Sequence, residues 1–212
     1  MNIKKQGDLW APDSRSLYSS STEIKQQDGF SVVSGPVAVG KGTLCDMVIT
    51  KAQGKVKRTV SYTTRAPLKG EKHGEHYYFV DREIFEDMIS LNLFLEYALV
   101  HGNYYGTVTK QIEKAQKIGK DVLLEIDVQG AMKVKEKIPY ATYIFIMPPS
   151  MDVLKDRLIR RKRGDTDIEL RLANAKKEIA QAELYDYIVI NDDLDTAFRE
   201  LYGIIMTPDK TR

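Results

Sequence analysis

The chain has 212 residues, of which 42% are hydrophobic, and its 32 basic and 30 acidic residues leave a formal net charge of +2. This length suits one domain, or one domain with inserted lobes, and the apolar fraction is sufficient for a sizeable core. The nearly balanced charge excludes a general electrostatic attraction to nucleic acid or to membrane surfaces, so any anion-binding site must be local.

The single cysteine, Cys45, excludes an intramolecular disulfide and a zinc site built from cysteines. No apolar run approaches the roughly 20 residues of a transmembrane helix, and the N-terminus lacks the hydrophobic core of a signal peptide. We therefore expect a cytoplasmic protein.

Residues 1–28 are polar and without helical or strand periodicity, which predicts a flexible N-terminal leader. From Gly29 onward, four short apolar runs recur between amphipathic segments: FSVVS, DVLLEID, TYIFIM and DYIVIN. Runs that are apolar on both faces are typical of strands in a buried parallel sheet.

The helical patterns between these runs predict helices at about 42–50, 82–91, 109–118, 130–137, 151–161, 167–183 and 195–206. This alternation predicts an α/β fold in which helices flank a parallel sheet, with right-handed crossovers. Residues 56–107 break the rhythm with short alternating stretches rich in Tyr, Thr and Gly, which predicts an inserted β-rich lobe. The core would then comprise residues 29–55 and 108–207.

The stretch SGPVAVGKGTL follows the first predicted strand and resembles a phosphate-binding loop. In such a loop, successive backbone N–H groups wrap phosphates while a lysine neutralises them, and a Ser or Thr follows the lysine. Gly42 stands at that last position, and Thr43 follows one residue later. An ordinary strand-to-helix turn is the alternative. The predicted ATP-binding residues are Gly35, Pro36, Val37, Ala38, Val39, Gly40, Lys41, Gly42 and Thr43.

The predicted lobe carries two groups of polar side chains. Arg65, Tyr77 and Tyr105 could grip a phosphate, because a guanidinium offers a bidentate fork and phenols add neutral donors. A second group, Ser61, Glu96 and Thr107, could read the edge of a base. A carboxylate that accepts two N–H bonds would favour guanine over adenine, which presents an acceptor at that edge.

From Phe30 to about Met206 the sequence resembles the guanylate kinase family. The matching motifs are SGPxxxGKGT, SYTTRxPxxGExxGxHYxFV, FLEYxxxxGNYYGT, LLEIDVQGA, PPSxxxLxxRL and YDYIVINDDLDTA, in the family's order. The resemblance implies a P-loop NTPase-type parallel sheet with an inserted nucleoside-monophosphate lobe and an Arg-rich lid. It also implies ATP-dependent phosphorylation of GMP, and of dGMP, with Mg²⁺ carried by ATP rather than by a metal site of the protein. The protein would be a monomer or homodimer.

The family's site residues carry over to matching positions. Those that read guanine are matched by Ser61, Glu96 and Asp127, with Thr107 as a small hydroxyl contact. The GMP phosphate would be held by Arg65, Tyr77 and Tyr105, with Glu71 supporting that loop, and Asn191 would contact adenine. The lid would span about 157–171, and the resemblance assigns catalytic roles to Lys41, Arg65, Arg157, Arg161 and Arg171.

Three features leave alternatives open. The basic run at 157–171 is also typical of a solvated face, and its alignment does not decide between Arg161 and Arg163. Glu125, where the family commonly carries Asp, could order Mg²⁺ or simply cap the turn after its strand. His73, His76 and His101 lack zinc-ligand spacing, so we assign them no metal or acid–base role.

Two departures from the family bear on activity. Its second phosphate-binding Arg, three residues after the first, is replaced by Leu68, which cannot bind phosphate, so we expect weaker GMP binding. Ala38 would cost roughly a kcal/mol relative to Gly if its position needs positive φ. The rival functions are a kinase of the same fold for another phosphorylated acceptor and a non-catalytic protein-binding module.

Overall fold

The structure, a computed structural model, describes residue 24 and residues 29–100, 102–160 and 168–207. Contacts within the chain divide these residues into two compact units. The core unit contains residues 29–59 and 115–207 of the described chain, and the lobe unit contains residues 60–114 together with residue 24. The predicted leader, apart from residue 24, lies outside the described residues.

The strands are β1 (Phe30–Ser34), β2 (Val56–Arg58), β3 (Tyr62–Thr63), β4 (Tyr78–Phe79), β5 (Phe94–Val100), β6 (Asn103–Val108), β7 (Asp121–Glu125), β8 (Thr142–Met147) and β9 (Tyr187–Ile190). The helices are α1 (Lys41–Lys51), α2 (Arg82–Ser90), α3 (Thr109–Lys117), α4 (Val128–Lys137), α5 (Met151–Arg160), α6 (Ile168–Ile179) and α7 (Leu194–Met206).

The core unit is built on a five-stranded parallel sheet with the strand order β2-β7-β1-β8-β9. Every residue of β1 is buried, as are the middle residues of β7 and β8, because helices cover the sheet. Helix α4 contacts β1, and α1 contacts α7. The predicted α/β fold, a parallel sheet flanked by helices, is confirmed.

The lobe unit contains a smaller, mixed sheet with the order β4-β3-β6-β5. Its core is aromatic: Phe85 of α2 stacks on Phe94 of β5 and on Tyr104 of β6, with ring centroids 4.4 and 5.1 Å apart. The short, alternating stretches that broke the rhythm of the sequence thus form a sheet of their own, with one helix packed against it.

Two segments differ from the prediction. Val56–Arg58, placed at the start of the lobe, forms β2 and pairs with β7 at the edge of the parallel sheet. Only Val56 of this strand is buried, so the strand lacked the continuous apolar run that marks a central strand. The helix predicted to reach residue 183 ends at Ile179, and a short 3₁₀ turn follows at Ala182–Leu184.

No helix among the described residues combines the length and the apolar character needed to cross a membrane.

Candidate functional site

The glycine-containing loop connects β1 to α1, and two of its glycines are required by its shape. Gly35 has φ +142°, and a Cβ there would lie 2.3 Å from the carbonyl oxygen of Ile146. Gly40 precedes the helix with φ +104°, and a Cβ there would lie 2.3 Å from Nδ2 of Asn191. Larger residues would strain the backbone and push the loop away from the strands beneath it.

The three residues inside the loop are apolar because their side chains pack against the hydrophobic core of the core unit. Val39 is fully buried in the core cluster, while Val37 and Ala38 are half-buried against it. Ala38 has φ +64°, in the left-handed region, so alanine is strained at this position relative to glycine, as predicted for a positive φ. The loop is therefore anchored by its side chains and shaped by its glycines.

Lys41 is the first residue of α1, and its ammonium folds back over the loop. Its Nζ donates hydrogen bonds to the carbonyl oxygens of Gly35 (2.5 Å) and Pro36 (3.0 Å). Burial lowers the pKa of Lys41, while the nearby carboxylates of Glu125 and Glu178 oppose this shift. The cation thus lies inside the curve of the loop, beside the N-terminus of a helix, where anions are stabilised.

Two predicted site residues support this loop. Asn191, 5% exposed, donates from Nδ2 to the carbonyl oxygen of Val39 at 2.7 Å. Arg157, on α5, donates to the same oxygen at 3.2 Å and to the Asn191 carbonyl at 2.9 Å. The structure thus places both beneath the loop backbone, and their contacts with adenine and with ATP phosphates stay predictions.

The acidic residue at the end of β7 is part of an ion network. Glu125 pairs through Oε2 with Arg58 of β2, whose other terminal nitrogen pairs with Asp46 of α1. The other carboxylate oxygen, Oε1, lies 3.7 Å from where a Cβ would stand on Gly42. Neither alternative considered for Glu125 included Arg58, because β2 was not predicted as a core strand.

The remaining predicted site residues of the core unit lie in different surroundings. Asp127 caps α4, with its Oδ1 accepting from the backbone N–H of Gly130 at 2.8 Å. Arg171 lies half-buried on α6. Arg161 and Arg163 lie outside the described residues.

Sequence reasoning missed Glu178, whose carboxylate interacts electrostatically with Lys41 and Asp127. Burial raises the pKa of Glu178 to about 7, and repulsion from Asp127 adds to the shift while Lys41 opposes it. Its position within the amphipathic pattern of α6 gave no signal, because a charged residue at such a place is ordinarily exposed.

In the lobe unit, the three predicted phosphate-binding residues lie together. The guanidinium carbon of Arg65 is 5.4 Å from the ring centroid of Tyr77, and the rings of Tyr77 and Tyr105 meet edge to face at 5.9 Å. Glu71 accepts from both terminal nitrogens of Arg65 at 2.9 Å and from the backbone N–H of Leu68 at 2.8 Å. Although burial alone lowers the pKa of Arg65, hydrogen bonds to Glu71 and Tyr105 raise it above its usual value.

The lobe residues predicted to read a base also converge. Glu96 of β5 and Thr107 of β6 are cross-strand partners, and both are buried, with 4% and 0% exposure. The hydroxyl of Ser61 lies 3.3 Å from that of Thr107. Charged side chains are rarely buried in a protein interior, so a buried carboxylate whose cross-strand partner carries a hydroxyl is a candidate binding-site group.

Leu68 is 41% exposed and extends from the same loop as Arg65. The two described histidines, His73 and His76, are exposed, and His101 lies outside the described residues. Within the described ranges, no cluster of three or more His, Cys, Asp or Glu side chains could hold a metal ion.

The core unit's loop, placed after the first strand of a parallel sheet and leading into a helix, has the architecture of a P-loop nucleotide-binding protein. Residues 29–207 match the family model described as guanylate kinase. The guanylate kinase of Carboxydothermus hydrogenoformans is 46% identical over 177 residues, which cover 82% of this chain and 85% of that protein. The guanylate kinase of Bacillus subtilis is 41% identical over 184 residues, covering 86% and 90%.

The crystal structure of guanylate kinase from Anaplasma phagocytophilum matches with a TM-score of 0.68 and 36% identity, covering 87% of this chain and 88% of that one. The chain belongs to the guanylate kinase family.

Proposed function

We propose that this protein transfers the γ-phosphoryl group of ATP to GMP, forming GDP and ADP. The P-loop indicates a nucleoside triphosphate but does not identify the acceptor. The proposal that GMP is the acceptor rests on the lobe unit's buried Glu96, whose cross-strand partner Thr107 has its hydroxyl 3.3 Å from that of Ser61. A carboxylate that can accept two N–H bonds suits guanine, and neutral hydroxyls complete such a site.

The phosphate of the acceptor requires cations, and the lobe unit supplies one. Arg65 is held by Glu71 in a fixed orientation, with the phenols of Tyr77 and Tyr105 beside it. Its Nε is buried and has no hydrogen-bond partner among the described residues. We infer that this group binds the GMP phosphate. The guanine contact that the family resemblance implies for Asp127 stays a prediction.

On the ATP side, the backbone N–H groups of Gly35 and of residues 37–43 would surround the phosphates, and Lys41 would neutralise them. Arg157 and Asn191 hold the loop's backbone in place. With Arg171 and a lid arginine, either Arg161 or Arg163, they complete the proposed ATP site.

In the reaction, an oxygen of the GMP phosphate attacks the γ-phosphorus of ATP while the bond from that phosphorus to the β–γ bridging oxygen breaks. ADP leaves with the electron pair, and no covalent enzyme intermediate forms. The acceptor is already ionised near neutral pH, so no strong base is needed. The protein's contribution is to align two anions that repel each other and to exclude water, which would otherwise hydrolyse ATP.

Mg²⁺, carried with ATP, would neutralise charge on the β- and γ-phosphates. Gly42 has no hydroxyl to offer, so we propose that the carboxylate of Glu125, which acts electrostatically on Lys41, and the hydroxyl of Thr43 would be the chain's oxygen donors toward Mg²⁺. So small a donor set fits Mg²⁺, which keeps several waters and binds chiefly to substrate phosphates. We also propose that dGMP is accepted, since the contacts assigned in the lobe address base and phosphate, and that the protein works in the cytoplasm.

Two other functions are less well supported. A kinase for another phosphorylated acceptor would leave the buried Glu96 without a role. A non-catalytic protein-binding module would have no use for the cation of Lys41 held inside the P-loop.

The test is release of ADP from ATP and Mg²⁺ with GMP, AMP, CMP, UMP or no acceptor, using the full chain and a Lys41→Ala control. Release that requires GMP and disappears in the control supports the proposal. Release with another acceptor alone, or with none, would refute it.

A further inference from the structure

Arg58 joins three elements of the core unit: strand β2, the P-loop's helix α1 and strand β7. It ends strand β2, its side chain is 31% exposed, and its two terminal nitrogens bind different carboxylates. One is Asp46, on the outer face of α1 and 72% exposed, and the other is Glu125, at the end of β7 and 17% exposed. The fork of a guanidinium can hold both at once in a fixed geometry, which an ammonium cannot.

Glu125 has a second cation near it. Among the charged groups acting on Lys41, Glu125 has the largest effect, and it raises the pKa of Lys41 against the lowering caused by burial. Within the described chain, however, no ion pair joins the two residues: Glu125 pairs with Arg58, and Lys41 donates to the carbonyls of Gly35 and Pro36.

There is a physical reason why Glu125 pairs with Arg58 while Lys41 binds the loop carbonyls. A carboxylate that is largely withdrawn from water must be paired, since an uncompensated buried charge is costly. If Arg58 were absent, Glu125 would lose its ion pair, and Lys41 is a second cation with which it interacts electrostatically. A Lys41 ammonium on a flexible stem would then be drawn toward a carboxylate and away from the phosphates that the loop encloses.

We propose that Arg58 is a positioning residue that keeps Glu125 from pairing with Lys41, so that Lys41 stays available for the phosphates of ATP. The proposal rests on the proposed function of the loop as the ATP site. If the proposal is correct, Arg58 affects ATP affinity only through Glu125. In a variant without the Glu125 carboxylate, the loss of Arg58 should then leave ATP affinity unchanged.

The test is a double-mutant cycle read by isothermal titration of the full chain with ATP in EDTA, so that no metal takes part. We expect Arg58→Met to weaken metal-free ATP binding by about tenfold, the size of one charge-assisted hydrogen bond. In a Glu125→Gln background the same substitution should change the affinity by less than about twofold. Lys57→Met, which removes an equal charge from the exposed neighbouring position of β2, should have no effect.

Urea unfolding of each variant separates positioning from stability. An Arg58→Met protein that is folded and weakened in ATP binding, and whose binding is restored in the double variant, supports the proposal. Unchanged ATP affinity in Arg58→Met, or an equal loss in the Glu125→Gln background, would overturn it while leaving the proposed function intact. A wild-type protein that does not bind ATP at all would overturn both.

Discussion

Lys41 in the core unit and Arg65 in the lobe unit are both proposed to bind phosphate, but the structure prepares them in opposite ways. Lys41 is held by two backbone carbonyl oxygens, and burial lowers its pKa. Arg65 is held by a carboxylate that accepts from both of its terminal nitrogens, and its hydrogen bonds raise its pKa.

Because of this difference, substitutions should affect the two phosphate sites to different extents. The core unit's phosphate site depends on backbone shape, so that Val37, Ala38 and Gly42 can occupy the loop without removing its N–H groups. The lobe unit's site depends on a few side chains in contact, so a single substitution there should have a larger effect. Four predictions, ordered by expected effect, test this contrast.

Glu71→Ala should raise the KM for GMP by about ten- to thirtyfold. It removes the acceptor of three hydrogen bonds, two from Arg65 and one from the backbone of Leu68, and charge-assisted bonds of this kind are each worth about 1.5–3 kcal/mol. Steady-state kinetics with GMP varied would measure the change. Glu75→Ala, in the same loop but 61% exposed, is the matched control. An unchanged KM would show that Arg65 does not need its carboxylate.

Glu178→Gln should stabilise the protein in a pH-dependent manner. Burial raises the pKa of Glu178 to about 7 from an ordinary 4.5. Below pH 4.5 the group is protonated in both folded and unfolded states, whereas as the pH rises through 7 the folded state must ionise a half-buried carboxyl and loses stability.

The glutamine variant avoids this loss. At pH 8 its free energy of unfolding should therefore exceed that of the wild type by about 1–2 kcal/mol, a value that allows for the partial exposure of the side chain. At pH 4.5 the two free energies should be almost equal. Urea unfolding at the two pH values gives the comparison, with the exposed Glu183→Gln as control. An equal difference at both pH values would refute the assignment.

Leu68→Arg should lower the KM for GMP by about three- to tenfold, because it restores a guanidinium beside the proposed phosphate site. The side chain is already 41% exposed, and the neighbouring Lys72 is engaged with Glu75 at 3.2 Å. Leu91→Arg, at an exposed leucine directly after α2 (51% against 41% for Leu68), controls for the added charge. If KM stays the same in Leu68→Arg, this position is not part of the phosphate site.

Ala38→Gly should have the smallest effect, a stabilisation of about 0.5–1 kcal/mol. Glycine adopts φ +64° without strain, and the greater freedom of the unfolded chain offsets part of the gain. Ala52→Gly, at a buried position with φ −70°, should instead destabilise the protein. Thermal unfolding measures both, and a destabilised Ala38→Gly would mean that packing of the methyl group outweighs its strain.

The fold was accessible from sequence for physical reasons, whereas the roles of the lobe residues stay predictions. Short, continuous apolar runs such as the one that became β8 are typical of a central parallel strand, and Gly35 and Gly40 mark a loop whose shape favours glycine. Strand β2 was missed because an edge strand with one buried residue has no such pattern, and Arg58 was missed with it. Glu178 was missed because burial of a charged side chain depends on how helices pack, which periodicity does not report.

The most direct test of this contrast is calorimetric titration of the wild type, Lys41→Met and Arg65→Met with ATP and, separately, with GMP. We expect Lys41→Met to weaken ATP binding by at least about tenfold and to leave GMP binding within about twofold, and Arg65→Met to do the reverse. Equal losses for both nucleotides in either variant would contradict it, because the two cations would then not serve separate phosphates.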